Sequence, residues 1–494
     1  MLLLGIDAGT SSIKVSVVDA GTQQCIASAQ YPETEAAIIS HQSGWAEQSP
    51  LGWWQFTQQA ILKVHASGKY DPKDIAAIGI AYQMHGLVAV DKEQNVLRDS
   101  IIWCDSRAVP YGEKAFNAIG AEKCLCNLLN SPGNFTAAKL AWVKENEPQV
   151  YERIDKIMLP GDYIAMQLTG DITTSISSLS EGIFWDFQDD ILSADVMNYF
   201  GFSESIIPPV QDVFSKHGYV SESVANTLQL KAGIPVSYKA GDQPNNALSL
   251  NVLEPGEVAA TAGTSGVIYG VSDSLAYDKQ SRVNTFAHVN YTKQQKRLGI
   301  LLCINGTGIL NKWIKNLAGA HANYSTLNAE AALIKEGSEG LYILPFGNGA
   351  ERMLNNKLVG AHIHNIDLNK HTAAHLYRAG QEGIAFAFKY GLDIMRGNGM
   401  NPSVIRANKT NMFLSGVFTH AFVNATNVPV EMYESDGSIG AALGAGIGAN
   451  IFKDAKEAFA GMKLLETIEP NGEDKYEEHY EKWKIYLKEE LDNV

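Results

Sequence analysis

The chain has 494 residues, 45% of them hydrophobic and 19% charged, with a formal net charge of −15. That length exceeds one ordinary core and predicts two large domains. The acidic balance excludes a nucleic-acid binder, whose phosphate contacts need clustered Lys and Arg, and no uncharged apolar run is long enough to span a membrane.

Cys25, Cys104, Cys124, Cys126 and Cys303 are scattered without a zinc-ribbon spacing, so free thiols are expected. The short apolar start Met1–Leu4 has no basic region and meets Asp7 at once, which is not a signal peptide. A cytoplasmic enzyme fits these features.

In chain order, Leu2–Asp7 reads as a strand, Ala8-Gly9-Thr10-Ser11-Ser12 as a turn, and Ile13–Asp19 as a second strand. Residues 24–31 supply a third. Ser49-Pro50 is a good N-cap and first-position pair for a helix that spaces Trp53, Trp54, Ile61 and Val64 on one face. Ile75–Tyr82 and Leu87–Asp91 are strands, and Ile234–Gly241 is another. Later, residues 372–395 and 415–425 have helical spacing, Val428–Tyr433 is a strand, and Ser438–Asn450 carries Gly440, Gly444 and Gly448 four apart. Each glycine costs that helix about 1 kcal/mol against Ala, so close packing on a sheet or against nucleotide is expected to offset them. From about residue 474 an amphipathic helix places Tyr480, Trp483, Leu487 and Leu491 along one stripe. Strands mixed with helices throughout indicate an α/β fold.

One string occurs twice. Ala8-Gly9-Thr10-Ser11 returns as Ala262-Gly263-Thr264-Ser265 about half a chain later, each time between two strands. A duplicated topology follows, with the two turns facing each other across a cleft. Domains at 1–243 and 244–494 are expected, because Pro244, Pro255 and Gly256 interrupt the pattern near the middle.

Phosphoryl transfer needs donors around the terminal phosphates, a carboxylate for Mg²⁺ and a carboxylate to take the acceptor's proton. The turn after Asp7 can supply the first, with Thr10 and Ser11 hydroxyls, close backbone approach at Gly9 and charge from Lys14. Asp7 is placed to hold magnesium through water. No Walker loop is present, and an ordinary polar hairpin remains the plain reading of either turn taken alone. The second turn keeps Gly263 and Thr264 but has Thr261 in place of Asp7, so it would only donate to phosphate. Asp242 ends the strand at the domain junction, where it is either a structural cap or the general base. Gln83-Met84-His85-Gly86 and the group Trp103, Asp105 and Arg107 lie at strand ends, where open α/β sheets bind ligands. Both sets can also be structural.

These segments, together with Gly44-Trp45-Ala46-Glu47-Gln48, Phe135-Thr136-Ala137-Ala138-Lys139-Leu140, Leu159-Pro160-Gly161-Asp162-Tyr163, Gly241-Asp242-Gln243 and Gly263-Thr264-Ser265-Gly266, resemble the FGGY family of carbohydrate kinases in order and spacing from Gly5 to about Asn450. The resemblance implies a two-domain actin-like ATPase (ribonuclease H-like) fold with a cleft between duplicated halves, closing over a sugar and MgATP. It carries the general-base role onto Asp242, phosphate and metal contacts onto Asp7, Thr10, Ser11 and Thr264, and sugar contacts onto Met84, His85 and Gln243. The Gln-Met-His-Gly string is that of members acting on xylulose, which implies transfer to O5 of D-xylulose. A homodimer is the assembly the family suggests. Two departures stand out. Thr410-Asn411-Met412-Phe413 replaces a glycine-rich turn near the adenine, which makes Asn408 and Asn411 the candidate contacts there. Gly349-Ala350-Glu351-Arg352-Met353 replaces a Gly-Glu-Arg-Thr-Pro string.

Overall fold

A computed structural model describes residues 1–317, 323–472 and 475–494. The elements that frame the cleft are labelled here. In the first half, strands β1 (Leu2–Ala8), β2 (Ile13–Asp19), β3 (Cys25–Tyr31), β4 (Ile75–Tyr82), β5 (Gly218–Tyr219) and β6 (Pro235–Gly241) form one sheet in the order β5-β6-β4-β1-β2-β3. Its helices include α1 (Pro50–His65), α2 (Thr136–Asn146), α3 (Pro160–Thr169), α4 (Ile176–Glu181) and α5 (Asp242–Ser249).

The second half holds β7 (Glu257–Ala262), β8 (Gly266–Ser272), β9 (Asn284–Ala287), β10 (Leu298–Ile304), a separate hairpin β11 (Tyr342–Phe346) and β12 (Gly360–His364), then β13 (Val404–Asn408), β14 (Val430–Tyr433) and β15 (Leu464–Ile468). Its helices are α6 (Gly308–Leu317), α7 (Tyr324–Ala332), α8 (Ala373–Gly397), α9 (Gly416–Thr426), α10 (Gly437–Gly448) and α11 (Lys475–Asp492). Residue 474, where the last helix was expected to begin, lies outside the described residues. The main sheet runs β9-β10-β8-β7-β13-β14-β15.

The two sheets repeat one design. β1 pairs antiparallel with β2 and parallel with β4, and β2 pairs antiparallel with β3. β7 likewise pairs antiparallel with β8 and parallel with β13, and β8 antiparallel with β10. The repeated Gly-Thr-Ser turns join β1 to β2 and β7 to β8. The internal echo in sequence is therefore a repeat in topology.

The buried alternation follows from position. β1 and β4 are central and covered on both faces, so they read as apolar runs, whereas the edge strand β3 alternates. α1 starts where Ser49 caps it, the Ser49 side chain accepting from the Gly52 N–H at 3.4 Å.

The glycine-spaced helix α10 crosses over. It packs on β1, β4, β6 and β2 of the first half, and on α5. Side chains are absent where the backbones meet: a Cβ on Gly5 would strike the Ser438 carbonyl, one on Gly79 the Ala441 carbonyl, and one on Gly448 the Ser237 carbonyl. Gly444 lies against the Tyr238 ring, where an added Cβ would stand 2.8 Å away. The glycines thus serve packing on a sheet, and that sheet belongs to the other half.

Replacing Gly79 with Ala is expected to cost about 1–3 kcal/mol in urea unfolding, because a helix backbone must move. Gly397→Ala, where nothing lies within 4 Å, should be neutral or stabilising by up to about 1 kcal/mol.

Candidate active site

Strand ends and one helix start meet at the seam between halves. β1 ends beside Asp7, β6 ends at Gly241, and α5 begins with Asp242. Position 241 must be glycine, since a Cβ there would stand 2.7 Å from Met84 Cγ and 2.8 Å from Glu181 Oε2. Gly241 is the N-cap and has no side chain to cap the helix, so Asp242 is its first residue. Its carboxylate accepts from the Gln243 backbone and side chain, while burial and then the Asp7 charge push its pKa up to about 7. Asp7 is raised to about 6 by burial and then the Asp436 carboxylate, against the pull of Lys14. Two half-buried carboxylates that each resist ionisation are the donor set a divalent cation would relieve. Asp7 and Asp242 therefore fit Mg²⁺.

The first turn closes through the Gly9 N–H to the Ser12 carbonyl at 3.1 Å and leaves Ser11 exposed. Thr10 Oγ1 donates to Gln83 Oε1 at 3.2 Å and accepts from Trp103 Nε1 at 2.9 Å. Gln83 in turn donates to Gln48 Oε1 at 2.9 Å, and Gln48 donates to the Thr10 carbonyl at 2.8 Å. One network thus joins the phosphate-type turn to the Gln-Met-His string. Trp103 stays 54% exposed despite this bond.

His85 has φ of +64°, a region costly for a residue with a Cβ. Three groups hold it there. Its N–H donates to Glu181 Oε1 at 2.9 Å, while its carbonyl accepts from Lys139 Nζ at 2.8 Å and Thr136 Oγ1 at 3.3 Å. Its Nδ1 lies 3.1 Å from the Glu181 carbonyl, which can only accept, so Nδ1 carries the proton. Burial, with the Lys139 charge, drops the ring's pKa to about 3, leaving a neutral imidazole with Nε2 as an acceptor. The ring packs edge-on to Phe135 with centroids 4.8 Å apart and tilted against Phe286 of β9 at 5.5 Å.

Lys139 and Glu181 are buried charged groups that the sequence reading gave no role. Burial lowers Lys139 to about 7 and raises Glu181. Glu181 Oε2 is buried without a hydrogen-bond partner. The signal in sequence was a lysine inside the apolar helix Thr136–Asn146; nothing comparable flags Glu181.

Across the seam, the exposed Cys303 on β10 is within electrostatic reach of Asp242 and Arg352. Arg352 donates to Asn284 Oδ1 and lies 6.0 Å from the Phe135 ring centre. Cys303 pairs in register with Val267, just past the second turn. Asp242 is thus within electrostatic reach of a residue beside each turn, Asp7 at the first and Cys303 near the second.

Behind the second turn lies a cavity of about 460 Å³, lined among others by Gly263, Thr264, Asn311, Tyr324, Asn328 and Asn411. Gly308 N–H donates to the Gly263 carbonyl at 3.0 Å, and a Cβ on Gly308 would collide with that carbonyl. Asn311 Oδ1 is a buried acceptor without a partner on the cavity wall, which suits an amino group of a purine. Asn411 takes φ of +52°, a left-handed conformation that asparagine tolerates best after glycine.

Three expected contacts have other partners in the structure. Asp105 is fully enclosed, its Oδ2 accepting from the Ala46 N–H at 2.5 Å and from Arg107 Nη2 at 2.7 Å. Arg107 also pairs with Glu47 at 2.6 Å and stacks 3.7 Å above the Trp45 ring, so this group is a buried structural network. Lys14 is held by Asp436, the N-cap of α10, at 2.7 Å. Asn408 accepts from the Ser435 N–H at 2.9 Å, bracing the loop before α10 rather than the cavity.

An acid whose folded pKa is raised holds more protons folded than unfolded, so stability falls as pH rises across the interval. For Asp242 that interval runs from the ordinary 3.8 to about 7. In magnesium-free buffer, Asp242→Asn should melt above the wild type at pH 8, with the gap closing below pH ~4. Equal melting temperatures at pH 8 would show that the carboxylate is not strained.

No helix among the described residues is long and apolar enough to cross a membrane. The chain is 28% identical over 483 residues to a xylulose kinase of Staphylococcus xylosus, covering 95% of this chain and 96% of that one. Its fold matches the structure of a xyloylose kinase from Brucella ovis with a TM-score of 0.88, 25% identity and 98% coverage of each chain. A gluconate kinase structure from Lactobacillus acidophilus matches with the same TM-score of 0.88 at 20% identity, covering 99% and 98% of the two chains. These neighbours have the actin-like ATPase fold. Residues 2–249 match the N-terminal domain and residues 258–450 the C-terminal domain of the FGGY family of carbohydrate kinases, so the chain belongs to that family of ATP-dependent phosphotransferases.

Proposed function

We propose that this protein phosphorylates a ketopentose, D-xylulose at O5 being the substrate the site favours, with ATP and Mg²⁺. The observation that carries this reading is the strained Asp242 carboxylate at the seam, one strand end from the Gln83-Met84-His85 string. Asp242 takes the hydroxyl proton as the oxygen attacks the γ-phosphorus, and the bond to the bridging oxygen breaks with its electrons leaving on ADP. Asp7 and Asp242 would hold Mg²⁺, which supplies charge neutralisation at the phosphates. Thr10 and the Gly263-Thr264 turn donate to phosphate oxygens, and Gly263, Asn311 and Asn411 border the nucleotide.

On the sugar side, the bare Nε2 of His85 accepts from a hydroxyl, the Trp103 face covers the ring-free chain, and Gln243 orients Asp242. The relatives named above act, by their names, on xylulose and gluconate, which supports a small carbohydrate as the class, with a ketose, and xylulose in particular, as the finer proposal. The sugar and phosphate domain is taken as 1–243 and the nucleotide domain as 244–494, with α10 of the latter seated on the former. Five unpaired cysteines suit a reducing compartment.

A coupled ADP-release assay over xylulose, ribulose, fuculose, rhamnulose, glycerol and gluconate should give its highest kcat/KM with xylulose. Faster turnover of another sugar would replace the substrate and keep the chemistry. Asp242→Asn should lower kcat by about 10²–10⁴-fold while sugar binding persists. In the wild type, kcat/KM should rise with pH through an apparent pKa near or below 7, since the base works ionised and a bound cation favours that form.

A further inference from the structure

His362, His364 and Glu490 lie far along the chain from the cleft machinery and take no part in it. His362 and His364 are two apart on β12, so both rings leave the same face of the strand. Glu490 reaches them from the last turn of α11. One donor atom from each residue lies within 4.8 Å of the others. Glu490 Oε1 is 3.4 Å from His362 Nδ1 and 3.6 Å from His364 Nε2. Ligands at ~2.0–2.1 Å from a tetrahedral ion stand roughly 3.3–3.4 Å apart, so both spacings are close to those of a shared ion.

The hydrogen bonds around the cluster point the same way. His362 Nε2 lies 2.8 Å from the Val359 carbonyl. A carbonyl cannot donate, so Nε2 carries a proton and, in the neutral ring, Nδ1 is the nitrogen whose lone pair faces Glu490. An imidazole tied on its far nitrogen to a backbone carbonyl is how metal-ligating histidines are oriented. His364 is fixed by stacking on Tyr486, centroids 4.5 Å apart and planes at 16°. Its Nε2 is buried and has no hydrogen-bond partner. The elements that carry the three residues are joined independently: Trp483 Nε1 donates to the Ile343 carbonyl at 2.9 Å, and Lys357 Nζ to the Leu491 carbonyl at 2.8 Å.

We propose that His362, His364 and Glu490 form a zinc site that clamps the C-terminal helix α11 onto the β11–β12 hairpin, with water as the fourth ligand. Two imidazole nitrogens and one carboxylate oxygen suit zinc or a similar borderline transition ion, whereas Ca²⁺ and Mg²⁺ take all-oxygen shells. The site is separate from the Mg²⁺ that phosphoryl transfer would use.

The test uses the full chain, stripped with a chelator and titrated with zinc chloride in calorimetry, without nucleotide or magnesium. One zinc per chain is expected. Glu490→Gln, nearly isosteric, should weaken binding at least about tenfold, and the His362→Ala/His364→Ala double variant should lose it. Cobalt(II) added to the wild type should give the visible absorption of a four-coordinate ion, absent in the double variant, and circular dichroism checks that each variant is folded. Zinc should raise the melting temperature of the wild type and leave the double variant unmoved. No zinc bound by the wild type would overturn the proposal, as would undiminished binding in the folded Glu490→Gln and double variants; the cluster would then be an ordinary histidine–carboxylate ion pair.

Discussion

The arrangement rests on the contact between α10 and the first sheet. Backbone meets backbone there, at Gly5 against Ser438, Gly79 against Ala441 and Gly448 against Ser237. Any side chain at those points would hold the helix away. Because the helix belongs to the second half of the chain, its seating fixes one half against the other. It also brings Asp436 and Gly437 to Asp7: Lys14 pairs with Asp436 at 2.7 Å, and a Cβ on Gly437 would collide with the Asp7 carboxylate. A packing constraint therefore sets the position of a chemical group.

That position is electrostatically unfavourable on its own. Asp7 and Asp242 share a cleft in which burial raises both, to about 6 and about 7, with the Asp436 charge adding to the rise at Asp7 and the Asp7 charge to that at Asp242. Two other buried charged groups are satisfied directly. Lys239 on β6 pairs with Asp162 of α3 at 2.7 Å, and Arg107 is enclosed by Asp105, Glu47 and the Trp45 ring. Buried pairs of this kind contribute little net stability but are costly to break, so they act as geometric pins. The contrast identifies the cleft carboxylates as groups kept for a ligand.

The Gln-Met-His string shows a related division of labour. His85 occupies a strained backbone conformation, and Glu181, Lys139 and Thr136 hold both ends of its peptide. Strain stabilised by surrounding contacts is typical of binding sites. On the nucleotide side, Asn411 adopts the positive φ that a glycine would otherwise supply. Two buried acceptors without partners, Glu181 Oε2 beside the string and Asn311 Oδ1 in the cavity, mark where each half has unused hydrogen-bonding capacity.

Strand and helix periodicity, the repeated Gly-Thr-Ser turn and the glycine spacing at 440, 444 and 448 were enough to give the α/β class, the duplicated topology and a tightly packed helix. Those are local patterns, and local sterics govern them. Sequence also singled out Asp7, Asp242 and the Gln-Met-His string, because functional groups at strand ends follow from where strands stop. It could not show that α10 crosses to the other sheet. Nor could it show that Asp105, Lys14 and Asn408 are partnered by Arg107, Asp436 and Ser435. Those facts depend on partners up to 422 residues away, and a side chain's role is decided by which partner reaches it first. Glu181 was invisible for the same reason: only the folded chain places its carboxylate behind His85, where burial makes it matter.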